Sequence, residues 1–388
     1  MFLFYYTLYM EQFLPYAYQS INDQDRKAVL RTLEAPAITR GPQVEAFEKA
    51  LADYTGATYA VTFNSGSTAL QAAYFAAETG SYDTVLTTPN TFISSLGSAL
   101  LQGAAPRFVD IDLDSGNLNL EQTIENLNLK KSRGKMIVVP VHFAGIAVDM
   151  QTLEEAIKQS ETIVIEDAAH AIGSTYPSGE KVGSCAYSDM TILSFHPAKT
   201  ITTGEGGAVT TNNPRYFERL KLYRNNGIVR DPVHPWSYAV THLSSNFHLN
   251  EMQAALGLSQ LKRIETFIEK RRALMARYRH QLADSGIRLF NPAYASRTAY
   301  HLAVVQLPAP IDRTALMQAL QEAHIGTQYH YIPLYRHPAV SKLTGDLTEA
   351  YPQMERYFQT ALSLPLYYDL TEEQVDYVAE TLKKRMAL

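Results

Sequence analysis

The run Thr162-Ile163-Val164-Ile165-Glu166-Asp167-Ala168-Ala169-His170 decides how this chain is read. Four β-favouring residues stop abruptly at two acids and small residues follow, which predicts a buried strand that ends in a loop. Runs of the same kind stand on either side of it, at 59–63, 84–86, 107–110, 136–139 and 190–193. Helical patterns connect them at 67–78, 93–101 and 153–159. That alternation is a βαβ rhythm, so an α/β fold with a mostly parallel sheet and helices on both faces is expected. Ligands of such sheets collect at the carboxyl ends of the strands.

Further along, Leu256, Leu258, Leu261, Ile264, Phe267 and Ile268 mark an amphipathic pattern over 250–285, read as one long helix leading out of the large domain. The remainder, from about Ile287, reads as a smaller α/β domain. A length of 388 residues suits two domains, and 46% hydrophobic with 19% charged residues excludes disorder. The net charge of −5 gives no attraction to nucleic acid or an anionic membrane. The basic run Lys130-Lys131-Ser132-Arg133 reads as a solvated turn. Cys185 is the only cysteine, so no intrachain disulfide or cysteine metal cluster can form; no metal is expected, and the compartment reads as the cytoplasm. Met1 to Met10 is apolar but too short to span a bilayer and has no basic lead, so it reads as an arm, with Met10 as an alternative start.

Three strings carry chemistry, each at a strand end. Asn64-Ser65-Gly66-Ser67-Thr68 precedes an Ala-rich helix; small residues, hydroxyls and a helix N-terminus together form a phosphate cradle, or simply a capped turn. No G-x-G-x-x-G stands between a strand and a helix, which disfavours a dinucleotide dehydrogenase. In Glu166-Asp167-Ala168-Ala169-His170, Asp167 is placed either to pair with a protonated pyridine nitrogen or to cap the next helix. His170 has the alternative of a buried histidine satisfied by backbone. In Ser194-Phe195-His196-Pro197-Ala198-Lys199-Thr200, followed by Gly204-Glu205-Gly206-Gly207, Lys199 can form an imine with an aldehyde cofactor and shuttle a proton. Ser194 would donate to the cofactor's phosphate, and His196 reads as a general base or, more readily, as structural.

These strings, with Gly41-Pro42, Val44, Phe47-Glu48, Thr88-Pro89-Asn90-Thr91-Phe92 and Gln253-Ala254-Ala255-Leu256-Gly257, resemble the DegT/DnrJ/EryC1/StrS family of sugar-nucleotide aminotransferases from about Phe13 to the C-terminus. Within it the chain is most similar to the C4 aminotransferases of pseudaminic acid biosynthesis, through Tyr187-Ser188-Asp189-Met190-Thr191, Gly227-Ile228-Val229-Arg230-Asp231 and Gly326-Thr327-Gln328-Tyr329-His330-Tyr331-Ile332-Pro333. The resemblance implies a fold type I transferase dependent on pyridoxal 5′-phosphate (PLP), with a seven-stranded large domain and a smaller C-terminal domain. It implies an arm at 1–25, a PLP-binding domain at 26–255, and a bridging helix with the small domain at 256–388.

Residue by residue, it implies that Lys199 carries the cofactor as a Schiff base, Asp167 partners the pyridine nitrogen and Phe92 stacks on the ring. Gly66, Ser67, Thr68 and Ser194 would meet the phosphate, and His170 the ring hydroxyl. Asn246, in Asn246-Phe247-His248-Leu249-Asn250, would reach a neighbouring subunit's site in a homodimer. Arg230, His330 and Tyr331 would bind substrate. The implied reaction moves an amino group from L-glutamate to C4 of a UDP-linked 4-keto-6-deoxy-N-acetyl hexose. Another 4-keto or 3-keto nucleotide sugar is the alternative acceptor. Two further readings are a PLP sugar dehydratase, in which histidine replaces the lysine and which Lys199 opposes, and a non-catalytic protein of the same fold.

Overall fold

A computed structural model describes residues 13–128, 133–158, 160–234, 236–308 and 311–386. The Met1 to Met10 arm and most of the 130–133 basic run lie outside the described residues. The apolar runs become strands β1 (Tyr59–Phe63), β2 (Thr84–Thr87), β3 (Ala105–Phe108), β4 (Met136–Val139), β5 (Ile163–Asp167) and β6 (Met190–Ser194); a seventh, β7 (Gly207–Thr211), joins them. Their order across the sheet is β1-β7-β6-β5-β4-β2-β3, with β2 to β6 parallel and β7 antiparallel to both β1 and β6. The sheet is therefore mostly parallel, as expected, and β1 to β6 all end on one edge.

Strand side chains alternate between two cores. Val61, Ile137, Ile165, Ile192 and Val209 pack on one face; Ala60, Val138, Val164, Leu193 and Ala208 pack on the other. Helices cover both: α1 (Asp23–Leu33), α2 (Pro42–Thr55), α3 (Gly66–Ala76), α4 (Ser94–Leu100), α5 (Leu120–Asn128), α6 (Met150–Ile157) and α7 (Pro214–Arg224). Their starts are written locally: Asn22, Ser65 and Asn213 each accept a first-turn N–H. For α2 the cap comes from afar. The buried carboxylate of Glu251 accepts the N–H groups of Gly41, Gln43 and Val44, and a Cβ on Gly41 would come within 2.8 Å of it. That contact explains why glycine precedes Pro42.

The expected strand at 107–110 begins earlier and ends at Phe108. Asp110 is drawn out of the ladder because its carboxylate accepts the N–H groups of Gln353 and Met354 at the start of another helix. The expected single helix over 250–285 is two, α8 (Glu251–Leu261) and α9 (Ile264–Gln281). Arg263 leaves helical geometry (φ −111°, ψ 4°), and its guanidinium lies 2.5 Å from the buried Asp25 carboxylate of α1. A buried carboxylate needs such a partner, and meeting that need outweighs continuous helix.

Helix α9 bridges the two cores. Ile264, Phe267 and Ile268 pack into the large one, whereas Leu274, Met275 and Tyr278 pack beneath a small antiparallel sheet of β10 (Arg288–Leu289), β11 (Ala303–Gln306) and β12 (Ala361–Leu364). Helices α10 (Arg313–Glu322) and α11 (Glu372–Met386) complete that core. A hairpin of β8 (Ile228–Arg230) and β9 (Tyr238–Val240) stands apart from both sheets.

Candidate active site

The loops after β1, β2, β5 and β6 meet on the edge where those strands end, and the small domain closes over them. After β1, Ser65 and Thr68 form a capping box at the start of α3. Thr68 Oγ1 bonds within that turn, to Asn64 Oδ1 at 2.8 Å, and its N–H donates to Ser65 Oγ. Thr68 thus shapes the cradle, leaving Gly66 and Ser67 to offer the unpaired N–H groups of a helix start. A Cβ on Gly66 would lie 3.0 Å from Ser194 Oγ, at the end of β6. Ser67 Oγ lies 2.6 Å from Ser94 Oγ. Backbone donors and hydroxyls thus converge at a glycine, the donor set a phosphate requires.

Asp167 closes β5, buried, and its Oδ2 accepts from Ser95 Oγ at 2.5 Å while Oδ1 accepts from the Ala169 N–H at 3.1 Å. Since Ser95 has one proton to give, Thr91 Oγ1, at 2.7 Å, donates to Ser95. Its neighbour Glu166 points to the opposite face. There it accepts from His142 Nε2 and Tyr176 Oη, both at 2.6 Å, from Thr191 Oγ1 at 3.0 Å and from Ser188 Oγ. Burial pushes the Glu166 carboxyl up, yet the bonds from His142, Ser188 and Tyr176 outweigh it and hold the group below its usual range.

Lys199 is half-buried, and desolvation pushes its amine down to about 8 against the opposing pull of Asp167. Its Nζ is 3.4 Å from Nε2 of His301, a residue the small domain supplies. His170 lies beside them, its ring centre 4.4 Å from that of His301. The Ala144 N–H donates to His170 Nδ1, so the ring proton sits on Nε2 and faces Tyr331 Oη at 3.1 Å. Burial, then Lys199, keeps His170 neutral.

His330 was expected among substrate-binding residues. The structure buries it, with Nδ1 2.8 Å from Ser363 Oγ, and burial followed by Lys199 pushes it down to about 3. A neutral, enclosed imidazole brings no positive charge to a diphosphate. Tyr331 stacks on His170. His196 accepts the Ala198 N–H at 3.2 Å within its own turn, a structural use.

Phe92 is 56% exposed, 6.3 Å from the Tyr331 ring. Arg230 and Asn246 are not brought to this cluster. Arg230 is exposed on β8 opposite Tyr238, and exposed Asn246 accepts the His248 N–H at 3.2 Å. That segment still reaches the cradle, because the Asn64 N–H donates to the Phe247 carbonyl at 3.0 Å. Sequence reasoning missed Ser95 and His301. Ser95 had only its four-residue spacing from Thr91 on the loop leading into α4, and His301 carried no signal.

These residues fit a phosphate-bearing pyridine aldehyde on three counts: the glycine-tight cradle, a buried carboxylate with oxygen lone pairs to spare, and a desolvated amine. Comparison with known proteins agrees. The model of the DegT/DnrJ/EryC1/StrS aminotransferase family matches residues 19–383. A UDP-4-amino-4,6-dideoxy-N-acetyl-beta-L-altrosamine transaminase of Campylobacter jejuni is 34% identical over 373 residues, 95% of this chain and 96% of that one. Helicobacter pylori PseC, described as an aminotransferase of pseudoaminic acid biosynthesis, superposes with a TM-score of 0.90 at 29% identity, covering 97% of this chain and 99% of its own. The PLP form of the putative sugar aminotransferase Spr1654 from Streptococcus pneumoniae gives 0.88 at 27% identity, covering 97% and 99%.

Proposed function

Because the chain belongs to the DegT/DnrJ/EryC1/StrS aminotransferase family and is a PLP-dependent sugar aminotransferase, we propose that it aminates C4 of a UDP-linked 4-keto-6-deoxy-N-acetyl hexose, with L-glutamate as donor, on a route to pseudaminic acid. What carries the reading is the desolvated amine of Lys199 beside Asp167 at the ends of β6 and β5, together with the name of the 34%-identical Campylobacter jejuni relative.

When bound, the cofactor supplies an aldehyde carbon to carry the amino group and a ring over which the charge of a deprotonated carbon spreads. Everything else falls to the protein. Gly66, Ser67 and Ser194 would hold the phosphate, and Phe92 would cover the ring. Asp167 keeps a proton on the pyridine nitrogen, a role that needs an anion fixed in place by Ser95 and Ala169. With its amine near 8, Lys199 is partly free base at neutral pH, so it can take a proton from the donor's α-carbon and deliver one to the sugar's C4. The His170 N–H aimed at Tyr331 leaves that hydroxyl's own proton free to donate into the site.

Arg230 is our candidate for the diphosphate, whose remote binding energy would position C4 for transfer. Arg230 and Asn246 would serve a site shared between two copies of the chain. Val229, Val233, Trp236, Tyr238, Val240 and Leu243, all exposed in and around the β8–β9 hairpin, support a homodimer that buries them. No described helix is long and apolar enough to cross a membrane. The lone Cys185, buried with its thiol pushed up to about 12 by desolvation, supports a cytoplasmic setting.

Purified enzyme with glutamate should be offered a panel of UDP- and dTDP-linked 4-keto-6-deoxy sugars and the amino products identified by NMR. Amination confined to dTDP sugars, or at C3, would overturn the proposed substrate while leaving the family intact.

A further inference from the structure

Buried histidines in this protein do different work. His142 engages both ring nitrogens, with Val148 N–H and Glu166, and His170 engages both, with Ala144 N–H and Tyr331. Those pairings are what burial requires, because an unmatched polar atom away from water costs stability. His301 breaks the pattern. Its Nδ1 is buried without a hydrogen-bond partner, and the ring's one bonding neighbour among the described residues is Nζ of Lys199. A side chain kept only for packing would be better apolar at such a position.

The backbone beneath it is clamped. Nη1 of the buried Arg271 donates to the carbonyls of Tyr300, His301 and Leu366, at 3.3, 3.4 and 3.0 Å. No carboxylate forms an ion pair with this guanidinium among the described residues. Its charge therefore falls on the ring above, and the groups facing His301 add to it: burial first, then Lys199, His170, Arg271 and His330 all resist protonation of the ring. Asp167 faces Lys199, and Tyr331 lies behind His170.

We infer that His301 is a positioning residue for the transfer step: its Nε2 lone pair accepts a hydrogen bond from the Lys199 amine, aiming that amine and stabilising it while it carries a proton. The inference rests on Lys199 being the cofactor lysine. The proton ledger is simple. Lys199 takes a proton onto its own lone pair and returns one; His301 keeps its single proton on Nδ1 throughout and neither gains nor loses any.

The test uses full-length enzyme loaded with pyridoxamine phosphate, the amine form of the cofactor, which leaves Lys199 uncombined. Trace acetic anhydride labelling across pH, read by peptide mass spectrometry, gives the Lys199 midpoint, expected at about 8 in the wild type. His301→Leu should lower that midpoint by about one pH unit, since the ammonium form loses its acceptor. It should also cut kcat by about 10- to 100-fold with KM for the sugar nearly unchanged. His301→Gln, whose carbonyl can still accept, should restore most of both. If the leucine variant does not fold, His301→Asn replaces it, being polar but too short to span the gap. A wild-type midpoint and kcat in the leucine or asparagine variant, or equal damage in the glutamine variant, overturns the inference. Failure of the underlying reading shows separately, in the wild type: borohydride reduction of the PLP form would then leave no cofactor on the Lys199 peptide.

Discussion

Glu166 and Asp167 are neighbours on one strand and carboxylates both, yet they serve different ends. Alternation along β5 sends Glu166 to the face of Val164 and Asp167 to the face of Ile165. Glu166 is enclosed by four side-chain donors from His142, Tyr176, Ser188 and Thr191. Asp167 receives two bonds, from Ser95 and the Ala169 N–H, with lone pairs left over. A carboxylate with every lone pair occupied ties the fold together. One held firmly but left incomplete is held for something that arrives later.

Substitution can break this contrast. Asp167→Asn should lower kcat by about a thousandfold or more, about 4 kcal/mol in the barrier, because a neutral partner no longer keeps the pyridine nitrogen protonated. Its urea midpoint should stay near that of the wild type. A large fall in stability with modest loss of turnover would reverse the roles assigned to the two residues. Glu166→Gln should do the opposite, costing about 3–5 kcal/mol of stability by upsetting a buried network, with kcat of the folded fraction within about tenfold of wild type. Equilibrium unfolding and active-site titration on the same preparation separate the two.

Acid sharpens the difference. The Glu166 carboxyl is held below its usual range in the folded state, so its contribution is fully present above the unfolded value of about 4.3 and is lost as pH falls through the folded one. The wild-type urea midpoint should therefore fall more steeply below about pH 4.5 than that of Glu166→Gln; parallel curves would show that Glu166 is not ionised in the fold. The smallest effect is expected from Ser95→Ala, which removes one of the two donors to Asp167. A fall in kcat of about tenfold and a stability loss of about 1 kcal/mol, read by steady-state kinetics and urea titration, would show that the site-facing carboxylate depends on its few partners for aim.

The same contrast explains what could be read from the chain alone. The strand-end positions of Asp167, Lys199 and Gly66 were legible because each stands within a few residues of an apolar run, so strand end and polar loop share one local string. Ser95 and His301 were not, for they approach Asp167 and Lys199 from 72 and 102 positions away. Such contacts are made by packing between elements, which periodicity does not encode. The βαβ rhythm was legible for the same local reason. The break at Arg263 was not, since it answers to a carboxylate on α1. The enclosure of His330 was not legible, because its string looks like a polar loop while the small domain folds Ser363 against it and closes it off from solvent.

The strand order carries a consequence for the newborn protein. β1, which leads into the phosphate cradle, has a single neighbour in the sheet, and that neighbour is β7. As the chain emerges from the ribosome, β2 to β6 can pair among themselves while β1 waits without a partner, its hydrophobic side chains uncovered. Only when Gly207–Thr211 has been made can β7 slide between β1 and β6 and bring Gly66 up against Ser194. A long-range closure of this kind is slow and leaves sticky intermediates exposed. A nascent polypeptide halted before residue 207 would hold Asp167 and Lys199 but not the strand that sets Gly66 against Ser194, so the strand-end loops come together only once the last strand of the sheet is made.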